Sequence, residues 1–276
     1  ELTASIKSYH LLAVTKILIG RGQRKTAISI AEDGLKIAIK FDLIDLVIIL
    51  TKELCLFYGL FSYNKNKHKK YLQLLEKYSE IWFLEQKASK LFVYYGQKVL
   101  KHNSGNDKKH EEMLFEIIPF IEKINTISFN YNAFNALYFY HYLKKNYLEL
   151  VEISSQAVSF FNSKKGFLIL GEFSFLQKLG IAKFAIGETN EAIKVYNRAA
   201  NMDITPGKLP WFNIRTHLFN AYLKIKEYNK SYISLHEVIT HDKFKSLYET
   251  FREPWLIKEA YMQLLLKMGK VTEVED

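Results

Sequence analysis

Apolar residues recur along this chain at i, i+3, i+4 and i+7, in segments of roughly 12 to 20 residues parted by short polar breaks, which is the period of amphipathic helices. Ala27, Ile30, Ala31, Gly34, Leu35 and Ala38 form one such stripe, and Ala192, Ile193, Tyr196, Ala199 and Ala200 another. The two-residue alternation of a half-buried strand is not found. Reading the breaks as loops predicts helical pairs: 3–19 with 23–40, 43–63 with 67–83, 84–101 with 108–124, 131–144 with 147–162, 168–186 with 190–202, and 210–226 with 229–240. A short helix over 244–251 and a last one over 254–268 follow.

The punctuation of the chain supports these limits. Gly20-Arg21-Gly22 and Gly187-Glu188-Thr189 read as helix–helix turns. Gly187 and Gly269 suit left-handed positions after a helix, where a side chain would clash. Pro210 and Pro254 suit a first helical turn, where no amide donor is missed. Asp42, with Asp45 three residues on, stands where an N-cap is wanted. Pro119 inside an apolar stripe predicts a break.

The totals narrow the class. With 276 residues, 49% of them apolar, and only 4 Pro and 12 Gly, the chain can bury a large core and carries few breakers, which favours an all-α fold. The net charge of +10 could serve an anionic partner, but only five of the 39 cations are Arg. A Lys-dominated surface fits a low-GC coding bias equally well. The single cysteine, Cys55, sits among Leu54, Leu56 and Phe57 and reads as a buried, inert thiol. No intramolecular disulfide can form, so a cytoplasmic setting is expected. No apolar run reaches the ~18 residues of a membrane span. The first residue is Glu1, not Met, so the chain is expected to be a piece of a longer one.

The segment 176–203, LQKLGIAKFAIGETNEAIKVYNRAANMD, carries small and large residues in a recognisable order. Leu176, Leu179-Gly180, Gly187, Ala192, Tyr196 and Ala199 match the signature of the tetratricopeptide repeat, which this segment resembles; Lys183 departs from it where an aromatic is usual. The physical reason for the small residues is close approach of two helices, with Tyr196 filling the space toward the next unit. Weaker matches cover 8–41, 131–164 and 212–245, beside the best one at 173–206; 43–125 holds hairpins with little motif, and 254–276 an incomplete unit or cap. The resemblance implies a single α-α superhelix of about six to seven hairpins over 1–276.

The resemblance also implies a function: a non-catalytic scaffold holding a peptide or protein segment in a concave groove lined by the first helix of each hairpin. Carried over residue by residue, the groove would present Asn132, Asn135, Phe139, Gln177, Phe184, Thr216, His217 and Asn220, a mixed amide and aromatic surface able to bond an extended backbone. The Lys and Asn clamp with which some members grip a terminal carboxylate is not reproduced. A second reading is a sensor or regulatory arm, or a nucleic-acid-associated protein using a basic patch of Lys65, Lys67, Lys69, Lys70, Lys98, Lys101, Lys108 and Lys109 beside several tyrosines. A solvated charged edge explains the same run.

Chemistry beyond binding finds no footing in the sequence. The eight histidines include no pair at i, i+4, so neither a metal site nor a cofactor is expected. Glu53, Glu85, Glu172, Glu188 and Glu191 are spread singly, and no phosphate-cradling glycine loop follows a strand.

Overall fold

The protein is described by a computed structural model covering residues 2–101, 108–164, 169–244 and 253–270. Among the described residues there are α-helices and no strand. In chain order the helices are α1 (Leu2–Gly20), α2 (Arg24–Lys40), α3 (Ile44–Leu56), α4 (Lys65–Leu100), α5 (Lys108–Ile117), α6 (Ile127–Leu143), α7 (Tyr147–Ser163), α8 (Ile169–Ala185), α9 (Thr189–Ala200), α10 (Leu209–Lys224), α11 (Tyr228–Ile239) and α12 (Glu253–Lys267). A π-helical turn, Phe57–Phe61, prolongs α3. A 3-10 turn, Ile118–Phe120, follows α5 at the break that Pro119 predicts. The short helix expected over 244–251 falls, Phe244 apart, outside the described residues.

The helices cluster into two compact units, Glu1–Phe139 and Tyr140–Asp276. In the first, α1 packs on α2, α2 on α3, α3 on α4 and α4 on α5. Its core joins Ile28, Ala31, Leu35 and Ala38 of α2 to Leu46, Val47, Leu50 and Leu54 of α3. In the second, each helix from α7 to α11 packs on the next, and α11 on α12. Phe212, Phe219, Leu235, Val238 and Leu264 close its C-terminal core.

The close-packing positions behave as the small residues require. Ala192 and Ala199 are fully buried, and so is Ser231, which stands where the repeat pattern expects Ala. Its hydroxyl donates to the Phe219 carbonyl at 3.0 Å, so the extra polar atom is satisfied.

Five of the connections between consecutive described helices share one turn. Gly22, Asp42, Lys145, Gly187 and Lys226 all have positive φ, each two residues before the next helix begins. At each, the amide after it reaches back five residues, as from Glu188 to the Lys183 carbonyl and from Glu227 to the Tyr222 carbonyl, closing a Schellman turn. Asp42 therefore caps no helix: it is the left-handed residue itself, and Leu43 precedes α3 with no side-chain cap. In the second unit the turns of this kind, at Lys145, Gly187, Lys226 and Gly269, are 42, 39 and 43 residues apart; Gly207, also at positive φ, lies in the connection between α9 and α10. This spacing exceeds the ~34 residues of a tetratricopeptide unit. The surplus lies in the length of α7 and α8, 17 residues each, and in connections such as 201–208 between α9 and α10.

Lys145 and Lys226 carry a steric cost that glycine would not, of about 1–2 kcal/mol in the left-handed region. Glycine offsets part of that gain through its freer unfolded chain, by roughly 0.5–1 kcal/mol. Lys145→Gly and Lys226→Gly should each raise the urea midpoint by an amount worth roughly 0.5–1 kcal/mol, with an unchanged slope. A lowered midpoint for Lys226→Gly would show that its side chain, not its backbone, decides that turn.

The largest departure from expectation is α4. The break expected between Phe83 and Leu84 is absent, and a single helix of 36 residues runs through it. No Gly, Pro or Asn lies between Tyr71 and Tyr95, so nothing stops the backbone there. Tyr71, Leu74, Leu75 and Tyr78 pack on the core of α2 and α3. Beyond them Leu84, Ala88, Leu91 and Tyr95 are buried on a rotated face. Lys87 pairs with Glu116 of α5 at 2.6 Å, and Phe92 meets Tyr131 and Phe139 of α6. One rod thus serves as the second helix of one hairpin and the first of the next.

Candidate binding surfaces

In the second unit the first helices of successive hairpins, α8 and α10, come side by side. The Gln177 amide donates to Nε2 of His217 across them at 3.0 Å, which requires a neutral ring with its proton on Nδ1. The His217 ring also lies on Tyr196 of α9, centroids 5.3 Å apart and 10° from parallel. Burial pushes the His217 imidazole down to about 4. Thr216 turns its hydroxyl back to the Phe212 carbonyl at 2.9 Å. Phe184 is half-buried, with the Lys224 ammonium 4.5 Å from its ring centre. Asn220 is exposed.

The first-unit members of the same expected set fare differently. Asn135 is 1% exposed and its amide donates to the Tyr131 carbonyl at 2.7 Å within α6. It is a buried helix residue with no face to offer a ligand. Phe139 is half-buried and stacked on Phe92 at 5.8 Å, and Asn132 is half-buried.

The basic patch does not assemble as one edge. Lys65, Lys67, Lys69 and Lys70 open α4, whereas Lys98 and Lys101 lie at its far end, and Lys108 and Lys109 open α5. From Lys70 to Lys98 the helix axis runs about 42 Å at 1.5 Å per residue, so the two groups are separate. The second group stays together, since Tyr94 of α4 stacks on His110 of α5 at 3.7 Å.

Lys67 is further engaged in a network that the sequence does not suggest. Glu32 Oε1 accepts from Tyr58 at 2.9 Å, from Tyr71 at 2.9 Å and from Lys67 at 3.1 Å, while Lys67 also donates to the Tyr58 hydroxyl at 2.8 Å. Burial pushes the Glu32 carboxyl up, but these donors together outweigh it and hold it below the usual range. The network ties α2 to the π-helical turn and to the start of α4.

Two other buried ionisable groups stand out. Glu85, an isolated carboxylate in the sequence, is buried in α4 and accepts from Thr126 at 2.7 Å; desolvation, with smaller pushes from Asp45 and Asp42, raises its carboxyl. Lys178 of α8 donates to Ser174 at 2.7 Å, and burial lowers its ammonium to about 8. A lone charge among Phe173, Phe175, Leu176 and Leu179 is the available signal for it. Cys55 is buried, and desolvation raises its thiol, as an inert role requires.

Among the described residues no group of three or more His, Cys, Asp or Glu could hold a metal ion, and no helix is long and apolar enough to cross a membrane. No protein-family model matches the chain, and no curated protein matches it.

Proposed function

We propose that this chain is a non-catalytic binding module, a superhelix of tetratricopeptide-like hairpins that holds an extended peptide or protein segment. The observation that carries the reading is the lateral meeting of α8 and α10 through Gln177 and His217, which makes one continuous surface from two first helices. Around that pair stand an exposed amide, Asn220, and an aromatic ring with an ammonium beside it, Phe184 with Lys224. An amide can bond a peptide backbone and the ring can receive its side chains. The recurring Schellman turn supports the repeat character, since one local device joins five pairs of consecutive helices among those described.

Peptides selected from a random displayed library against the purified chain provide the test. Asn220→Ala and Phe184→Ala should each weaken a selected peptide about 5- to 30-fold, as loss of a good hydrogen bond or an aromatic anchor does. Neither side chain is in the core, so the helical signal and midpoint should stay unchanged. Equal affinity for wild type and both variants would remove this surface from the binding site.

A further inference from the structure

We propose that one end of the first unit is a docking tip for an anionic lipid bilayer, held by exposed cations that flank exposed apolar side chains. The turn after α1 and the turn after α3 meet there, because the Arg24 guanidinium lies 4.3 Å from the centre of the Phe61 ring. Leu60, Phe61 and Tyr63 are 60%, 53% and 80% exposed, a concentration of apolar surface on a turn between helices that burial elsewhere does not explain. Arg21, Arg24 and Lys25 flank it from one turn, and Lys65, Lys69 and Lys70 from the start of α4.

All six of these cations are exposed. The ion pairs formed nearby, Lys16 with Glu53 and Lys67 with Glu32, use other cations and neutralise the acids themselves. The amide ends of α2 and α4 and the carbonyl ends of α1 and the turn after α3 lie here together, so their dipoles offset one another. The positive sign of the tip comes from its side chains.

Charge complementarity calls for an anionic partner, and the apolar residues say which kind. Leu60 has no π-face on which a base could stack, and one face of Phe61 is already covered by Arg24. Aliphatic and aromatic side chains flanked by lysine and arginine match the interfacial zone of a bilayer, where apolar groups enter the acyl boundary and cations meet headgroups. The tip is an end of helices rather than a channel that could track a strand.

Flotation of the purified chain with vesicles tests this directly. The chain should float with phosphatidylcholine–phosphatidylglycerol vesicles and remain unbound with phosphatidylcholine alone. Lys65→Gln and Lys69→Gln should each lower the partition coefficient about five-fold, and added salt should lower it further. Leu60→Ser, at an exposed position, should lower partition with the thermal midpoint unchanged; Leu60→Ser with Phe61→Ser should lower it more. Failure to float with anionic vesicles overturns the proposal. So does Leu60→Ser partitioning like wild type, or a single-stranded oligonucleotide binding in preference to the vesicles with no effect of Leu60→Ser. The peptide affinity of α8 and α10 is read separately, so either proposal can fail alone.

Discussion

Gly180→Ala should be among the most damaging single substitutions in the second unit. A Cβ at Gly180 would stand 2.2 Å from Cε1, 2.6 Å from Cδ1 and 2.8 Å from Cζ of Tyr196, so a ring, not a flexible chain end, must move. The ring has nowhere to go. Tyr196 is 2% exposed, and one face of its ring is covered by His217. Overpacking of this kind costs about 1–3 kcal/mol, and the closed cage places this site at the upper end. Tyr196→Ala alone should cost about 3–5 kcal/mol through the cavity it leaves. Combined, the two should cost less than their sum by about 1 kcal/mol, because the methyl group added at position 180 then fills part of the vacated space. Urea unfolding of the two single variants and the double variant closes the cycle. Strict additivity would refute direct contact as the reason glycine stands there.

Acid should weaken the second unit well before its carboxylates titrate. His217 has an ordinary value of 6.5 and is held at about 4 in the folded chain by burial. Between those two values the unfolded chain binds a proton that the folded chain refuses, so stability falls as pH drops from about 6.5 toward 4. At about 1.36 kcal/mol per pH unit, the full window is worth about 3 kcal/mol. His141, also lowered by burial, adds in the same direction. His217→Phe keeps a ring on Tyr196 and removes the titration, so its midpoint should depend less on pH across this window. The imidazole resonance of His217, followed by NMR, should titrate near 4. A midpoint near the ordinary 6.5 would mean that the ring is not buried between α8, α9 and α10. The protonated ring would also lose its bond from Gln177, so binding to the proposed peptide surface should weaken over the same range.

Most helix limits were legible because they are set by residues that act locally. Gly22 and Gly187 supply positive φ, Pro119 ends α5, and Pro210 opens α10. Asp42, Lys145 and Lys226 form the same turn without glycine, and their side chains give no such signal. The missed continuity of α4 has the opposite cause. The rhythm of repeats suggests a break at Leu84, but the local sequence contains no stop, and each half of the rod finds a partner on a different face. That continuity is also what separates Lys70 from Lys98.

By itself the sequence determined the helical class, most helix ends and the small residues at Gly180, Ala192 and Ala199, because backbone preference and close approach depend on near neighbours. It did not determine which polar groups meet. Glu32 with Tyr58, Tyr71 and Lys67 spans up to 39 residues, and Gln177 with His217 spans 40. Burial of Asn135, of Glu85 and of the His217 ring was likewise decided only by packing, since desolvation is a property of everything that surrounds a group and not of the residues beside it in the chain.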